Sequence, residues 1–268
     1  MQGVIFTETL RRSLGALLYW GLGLGLMACL SAWLVPLFDA MQLVEMLENL
    51  PPVLRAAAGM DESMAALATP EGIILVAFFG KFALVFAAYP VVMGMRVTAN
   101  EEDEGILDVL LSLPVPRWRL LLEKFAAYTL TILVIGALVY AGLWAGIQAA
   151  GIAVDMQRVA AAVFNLVPLL LLILAFTVLI SAFISRRQVA LSIVTGFVLG
   201  SFLLDTFASM VQGGVSELMD RLSFFSYFDV NSIVQVGANW THIIGLLLVT
   251  GLLLGGALWG FQRRDVGS

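Results

Sequence analysis

Six long runs of apolar side chains, separated by shorter polar segments, set the pattern of this amino-acid sequence. An α-helix needs ~20 apolar residues to cross ~30 Å of hydrocarbon, because it rises ~1.5 Å per residue and bonds its own backbone polar groups. The pattern therefore predicts an all-α, polytopic integral membrane protein with six transmembrane helices. We place these spans at residues 14–35, 73–95, 125–149, 159–184, 189–210 and 242–261.

Composition removes the alternative of a water-soluble fold. Of the 268 residues, 61% are hydrophobic and 12% are charged, whereas a soluble domain carries about 25% charged residues. A soluble chain of this length has too little interior to hide so many apolar side chains, so the excess must face lipid. We therefore treat residues 1–268 as a single transmembrane domain.

Basic side chains fall on one side of the predicted membrane and orient the chain. Short loops that are rich in Lys and Arg stay in the cytoplasm. Both termini and the loops at 97–124 and 185–188 are therefore expected to be cytoplasmic, while the acidic loops at 37–71 and 211–241 face outward. Three basic residues lie on the outer side, namely Arg55, Arg158 and Arg221. The cytoplasmic side holds Arg11, Arg12, Arg96, Arg117, Arg119, Lys124, Arg186, Arg187, Arg263 and Arg264.

Cys29 raises a competing interpretation of the first apolar run. Together with Arg11 and Arg12, the residues that end at Cys29 imitate a lipoprotein signal, whose cleavage would remove the first span. The apolar run continues to Val35, however, which is too long for a signal and typical of a span. As the single cysteine of the chain, Cys29 also excludes an intrachain disulfide and a cysteine-based zinc site.

Enzyme chemistry finds little support in the sequence. His242 is the single histidine and has no second histidine or cysteine near it in the sequence, so a metal site or a Cys–His pair cannot be assembled. Gly80 and Lys81 are followed by Phe82 inside a span, which differs from a phosphate-binding loop. We therefore expect no catalytic residue, metal or cofactor in this chain, and any ATP hydrolysis must belong to a partner.

The most informative polar segment is 98–124, between the second and third spans. Asn100 is a good N-cap, and the acids that follow it place negative charge in the first helical turn, where the helix dipole favours it. Apolar residues recur with helical spacing before Pro114 and Pro116 end the helix. The segment therefore predicts an amphipathic helix with an acidic stripe, which by charge pattern alone is also compatible with a solvated face. Its apolar face is Ile106, Val109, Leu110 and Leu113, its acidic stripe is Glu101, Glu104, Asp108 and Ser112, and a basic elbow follows at Arg117, Arg119 and Lys124.

At these residues the sequence resembles the type-2 ATP-binding-cassette (ABC) permeases. Members of that family carry, between their second and third spans, a pattern close to E-x-G-T-[LI]-[DE]-x-L-L-[SA]-x-P-[VI]-x-R, followed by a basic residue. Ile106 stands where threonine is usual, and Pro116 stands where a small polar residue is common. The pattern is matched in order by Glu104 or Glu102, Gly105, Leu107, Asp108, Leu110, Leu111, Ser112, Pro114, Val115, Arg117 and Lys124.

The resemblance implies a permease that pairs with a second copy or a related permease and docks on separate nucleotide-binding ATPase subunits, which hold ATP and magnesium. Residues 101–119 would be the coupling helix, and Arg11 and Arg12 would belong to an N-terminal cytoplasmic elbow helix. The implied function is ATP-driven export of a small or hydrophobic cargo across a bacterial or archaeal cell membrane. The implied coupling residues are Glu101, Glu102, Glu104, Gly105, Asp108, Leu111, Pro114 and Arg117.

The alternative function is a secondary transporter or a regulatory membrane subunit that has no ATPase partner. Secondary transporters often contain two halves with similarly broken spans. The sequence holds no second copy of the pattern formed by Lys81 and Pro90, nor of the acidic segment, so the permease interpretation is favoured.

Two further patterns concern packing. Gly21 with Gly25 in the first span, and Gly251 with Gly255 in the sixth, form GxxxG pairs that let helices approach closely. We interpret them first as contacts within the chain and second as contacts between subunits. The aromatic run at 224–228 suits either a membrane-interface belt or a re-entrant turn before the sixth span.

Lys81 and Asp205 place charges inside predicted spans. A charge there costs at least ~2.5 kcal/mol on insertion scales and usually faces a partner or a wet cavity. Lys81 lies ~12 Å from the outer end of its span and Asp205 ~24 Å from the inner end of its own, so the two side chains can meet in the outer half of the bilayer. We hypothesise that they pair, with two independently snorkelling side chains as the alternative.

Charge exchange tests this pair. Lys81→Asp and Asp205→Lys should each lower the apparent melting temperature in detergent, because each puts two like charges together in the span region. The double variant should regain most of the loss, since it restores opposite charges. If the double variant melts no higher than either single variant, Lys81 and Asp205 do not pair.

Overall fold

The computed structural model describes residues 3–37, 69–103, 105, 115–184, 186–208 and 214–263, apart from the side chains of Ala77 and Lys81. Within these ranges the chain is helical and contains no strand. A 3₁₀ turn, Val35–Leu37, follows the first helix, and a π-helical stretch, Val76–Gly80, joins the second helix to the third. The α-helices are α1 (Val4–Leu34), α2 (Pro70–Leu75), α3 (Lys81–Met95), α4 (Ala99–Asp103), α5 (Arg117–Ala150), α6 (Met156–Phe183), α7 (Arg187–Ala208), α8 (Gly214–Leu222), α9 (Val230–Val236) and α10 (Trp240–Arg263).

Five of the described helices are long and apolar enough to cross a membrane, namely α1 with its 3₁₀ turn, α5, α6, α7 and α10. A sixth crossing is present if α2 and α3 count as one span, because together they pass the same test despite a bend of 45°. The bend lies at Lys81, directly after the π-helical stretch, which interrupts the regular hydrogen-bond pattern of the helix. The prediction of an all-α polytopic membrane protein is confirmed.

Local sequence signals set the boundaries of several spans. Thr69 caps α2, since its Oγ1 accepts a hydrogen bond from Gly72 N at 3.1 Å. Asp155 caps α6 in the same way, accepting a hydrogen bond from Gln157 N at 2.9 Å. α5 ends at Gly151, whose φ of +67° lets its N–H bond back to the carbonyls of the last turn.

The N-terminal helix corrects one expectation. Val4–Leu34 is a single continuous helix of 31 residues, so the elbow helix is not a separate element and Arg11 and Arg12 lie on α1 itself. No proline occurs in this range, and isolated glycines weaken a helix without breaking it. At ~1.5 Å per residue α1 is ~46 Å long, so its charged first turns extend beyond a ~30 Å hydrocarbon layer.

Hydrogen bonds between elements show which helix ends meet. Glu123 near the start of α5 accepts hydrogen bonds from the first turn of α1, and Lys124 donates to Val97 O, just after α3, at 3.0 Å. At the opposite end, Asp155 N donates to Glu71 Oε1 at 3.1 Å, which joins the starts of α6 and α2. We call the first end the basic end of the bundle. It holds residues 3–12, 96–103, 105, 115–124, 181–184, 186–190 and 260–263.

α1 and α5 pack backbone against backbone. A Cβ atom on Gly142 would overlap the carbonyl oxygen of Gly25, and one on Gly146 would overlap that of Cys29. Gly21 lies in the same interface, against a side chain of α5. The intrachain role predicted for Gly21 and Gly25 is therefore confirmed, because these glycines permit the close approach of the two helices.

The glycine pair of the last span does not pack within the described bundle. Among the described residues, no atom outside α10 lies within 4 Å of a Cβ built on Gly251 or Gly255, so their predicted intrachain role is wrong. Gly256 and Gly260 lie against α6 instead, with Gly260 under the ring of Phe183. One residue along a helix is a rotation of ~100°, so spacing alone cannot identify the packed face.

α6 lies at the centre of the bundle, and α7 lies at its periphery. Within the apolar stretch of α6, 67% of the residues are buried by the rest of the chain, whereas 22% are buried in the apolar stretch of α7. The exposed side of α7 is apolar and carries large side chains such as Phe197, Leu203 and Phe207. Such a face must contact lipid or another protein, because exposing so large an apolar surface to water is unfavourable.

The aromatic run after α8 turns back into the bundle. Ser223 Oγ donates to Ser201 O and Phe224 N donates to Ser201 Oγ, both at 2.9 Å, which binds the turn to α7. Phe228 packs edge-on against Phe79 of the π-helical stretch, with ring centroids 5.9 Å apart. Ser201 lies ~21 Å along α7 and so within a ~30 Å layer. This position favours the re-entrant turn over the interface belt.

Substituting the contact glycine of α5 should separate α1 from α5. Gly142→Ala should lower the free energy of unfolding by about 1–3 kcal/mol, because the added methyl group overlaps the α1 backbone. The matched control is Gly23→Ala on α1, where a Cβ meets no described atom within 4 Å outside the helix. Thermal unfolding in detergent measures both, and equal melting temperatures would contradict the packing described for these helices.

Candidate functional site

The candidate site is the segment that follows α3 at the basic end, which the structure describes over residues 97–103 and 105. We call this segment the corner. The turn that leads from α3 into the corner is closed by Arg96 N and Val97 N, which donate to carbonyls of the last turn of α3 at 3.1 Å. α4 begins at Ala99, one residue before the predicted N-cap Asn100. A turn at Gly105 follows, with a φ of +69° that glycine adopts without strain.

Four predicted coupling residues lie in the corner or at the start of α5. Glu101 and Glu102 are in α4, Gly105 is in the turn that follows it, and Arg117 begins α5. The remaining predicted residues lie outside the described part of the chain, together with the apolar face of the predicted helix. These are Glu104, Asp108, Leu111 and Pro114. An amphipathic coupling helix over 101–119 therefore stays a prediction.

Lys124 fastens the corner to α5. Its ammonium group donates to Val97 O at 3.0 Å and forms an ion pair with the carboxylate of Glu101. The Lys124 side chain is 4% exposed and that of Glu101 is 20% exposed. A buried ammonium group is tolerated only with such partners, because the surroundings cannot replace its hydration.

The buried position of Lys124 corrects the expectation of a basic surface elbow at this residue. Lys124 lies on the buried stripe of α5, where side chains three and four residues away on both sides are also buried. Those neighbours are Leu120, Leu121, Ala127 and Tyr128. The helical spacing of these apolar residues indicated that Lys124 lies on a buried face of α5. Because of its charge, Lys124 was interpreted as part of the basic elbow instead.

Glu101 has a partner inside the chain. The family resemblance implies that Glu101 is a coupling residue that faces an ATPase, yet its carboxylate binds Lys124 and most of its side chain is covered. Asp103, two residues later, is exposed. Among the described acids of α4, Asp103 is therefore the one most accessible to another protein, and docking through Glu101 stays a prediction.

Glu123 binds the N-terminus of α1. Its carboxylate accepts hydrogen bonds from Ile5 N and Phe6 N, each at 3.1 Å, and from Gly3 N at 3.3 Å. Arg119 Nε donates to the same carboxylate at 2.7 Å. The first N–H groups of a helix lack partners within it and attract negative charge, so Glu123 supplies the cap that Gly3 cannot. Sequence reasoning missed this cap because it comes from a distant part of the chain.

The corner also contacts α6 and α7. Thr98 Oγ1 donates to Ser181 Oγ at 2.8 Å, and both side chains are fully buried. Met95 and Ala99 form a small apolar cluster with Ala190 at the start of α7. A buried hydroxyl pair specifies one position of the corner relative to α6, because a displaced hydroxyl would lose its partner without reaching water.

The predicted intramembrane pair remains untested. Lys81 begins α3, but its side chain lies outside the described part of the chain. Asp205 lies near the end of α7, where its Oδ1 accepts a hydrogen bond from Ser226 Oγ at 3.0 Å. Asp205 thus contacts the aromatic run at 224–228, and its pairing with Lys81 stays a prediction.

Comparison with known proteins places these features in one family. The family model described as ABC-2 family transporter protein matches residues 20–266 of the chain. The matched range contains the corner and all the described helices except residues 4–19, about the first half of α1. The comparison with curated proteins gives no match. The family match covers most of the 268 residues, far beyond the 98–124 segment that carries the resemblance.

A double-mutant cycle tests the pair of Lys124 and Glu101. Lys124→Met should lower the free energy of unfolding by about 1–3 kcal/mol, because it leaves a largely buried carboxylate without its cation. Adding Glu101→Gln should recover part of this loss. Thermal unfolding of the purified variants measures the cycle, with Arg96→Met, whose side chain is exposed, as the control. Strictly additive effects of the two substitutions would contradict the pair.

Proposed function

Since the chain belongs to the ABC-2 family of transporter proteins, we propose that it is the permease subunit of an ATP-driven exporter, coupled through residues 101–119 to separate ATPase subunits. The match across residues 20–266 carries the proposal, because it makes the chain a membrane permease component of an ABC transporter. ATP and magnesium would bind to the partner, which would supply the hydrolysis.

The position of the corner supports coupling to a soluble subunit. α5 has 34 residues and is ~51 Å long, whereas ~20 residues cross the hydrocarbon layer. All the charged residues of α5 lie between Arg117 and Lys124, so this part of the helix extends beyond the layer at the basic end. α4 lies beside it, with Asp103 exposed. An ATPase on that side would contact the corner directly.

The basic end would face the cytoplasm of a bacterial or archaeal cell. The starts of α1 and α5 and the end of α10 carry basic residues, and this distribution orients a membrane protein with its basic loops inward. Both termini would then be cytoplasmic. A second copy or a related permease would complete the transporter, and the apolar exposed face of α7 is compatible with either such a partner or a hydrophobic cargo.

Co-purification tests the proposed function. After mild detergent extraction from its native membrane, the tagged permease should bring along a nucleotide-binding protein that hydrolyses ATP. Glu104→Arg combined with Asp108→Arg should release that protein, because the variant reverses the charge of the predicted acidic stripe.

The matched control reverses two acids at the opposite end of the bundle. Glu217→Arg with Asp220→Arg changes exposed side chains of α8 and should leave the associated protein bound. The comparison is valid when both double variants have melting temperatures close to that of the parent protein. Absence of any nucleotide-binding protein from the parent preparation would overturn the proposed function.

A further inference from the structure

Glu123 and Lys124 are neighbours in α5 but bind different parts of the chain. Successive residues of an α-helix point ~100° apart, so the two side chains leave α5 in different directions. Glu123 binds backbone N–H groups at the start of α1, and Lys124 binds Val97 and Glu101 in the corner. Two adjacent side chains thus join three elements that are far apart in the sequence.

The contacts made by Lys124 are shielded from water and salt, and those made by Glu123 are partly shielded. The Glu123 side chain is 16% exposed and the Lys124 side chain is 4% exposed. Hydrogen bonds to a charged group are roughly twice as strong as neutral ones, and salt screens buried pairs much less than exposed pairs. Salt should therefore weaken the Lys124 contacts less than it weakens a salt bridge on the surface.

Glycine packing extends the first of these links along the bundle. Beyond Glu123, the α1 backbone lies directly against α5 at Gly142 and Gly146, where no side chain fits between the helices. α1 cannot slide or rotate against α5 without overlap of backbone atoms. A displacement of the start of α5 is therefore shared by α1 over most of its length.

We propose that Glu123 and Lys124 are positioning residues that lock the starts of α1 and α5 and the 97–103 corner into one unit. The role of this unit in transport rests on the proposed function. A force applied by an ATPase to the coupling segment would move α1 and α5 together with the corner. The lock itself is a property of this chain and exists with or without an ATPase.

Distance measurement between spin labels tests the lock in the purified permease. Labels are attached through Arg11→Cys on α1 and Asp103→Cys on α4, both exposed positions, after Cys29→Ala removes the native thiol. The parent should give a narrow distance distribution. Lys124→Met and Glu123→Gln should each broaden it at least about twofold, because each frees one of the two elements to open locally.

Matched variants separate positioning from general loss of structure. Arg96→Met removes an exposed cation next to the corner and should leave the width unchanged. Lys124→Arg keeps the charge and should restore most of the narrow distribution. If Lys124→Met does not fold alone, the double variant Glu101→Gln with Lys124→Met removes both charges and should give the same broadening. Unchanged widths in the folded Lys124 and Glu123 variants would overturn the lock.

A second measurement examines movement in the complex with the co-purified ATPase. Trapping that complex with ATP and vanadate should leave the 11-to-103 distance of the parent unchanged, because both labels belong to one unit. The same trapping should shift the distance in Lys124→Met. A shift in the parent would overturn the inference and leave the proposed function standing, whereas absence of an ATPase would overturn the proposed function and leave the first measurement valid.

Discussion

Polar groups that folding removes from water, in the packed interior or in the hydrocarbon layer, must find their partners inside the chain, and this constraint shapes both the spans and the site. The ammonium group of Lys124 meets a carbonyl and a carboxylate, and the hydroxyl of Thr98 meets that of Ser181. At the other side of the bundle, Ser201 binds the re-entrant turn through its hydroxyl and carbonyl groups. Each contact joins elements that apolar packing alone would leave free to slide.

The same constraint explains why the polar contacts gather at the basic end. α1 and α5 are both longer than the hydrocarbon layer, and their charged residues lie in the part that exceeds it. There the start of one helix needs an acceptor for its N–H groups, and Glu123 of the other provides it. The corner between α3 and α5 lies beside this contact, so the segment that resembles a coupling helix is attached to two spans at once.

Much of the fold follows from the sequence because each span must satisfy its own length and polarity. The apolar spans and the caps at Thr69 and Asp155 depend on hydropathy or on residues near in sequence, and the GxxxG spacing indicated that Gly21 and Gly25 could pack closely, although their partners lie on α5. The faces of the helices were harder to predict. Gly251 and Gly255 show why, since a nearly uniform apolar helix gives no signal that separates a packed face from a lipid-facing one.

By itself, the sequence determined the membrane class, the family resemblance and the segment in which coupling residues should be sought. Only the tertiary structure decided that Lys124 is buried, that Glu101 is its partner and that Glu123 caps α1. The physical reason is the distance along the chain over which each signal acts. Hydropathy, capping and helical spacing act within a few residues of the chain, whereas a charge takes its role from whichever distant element folds against it.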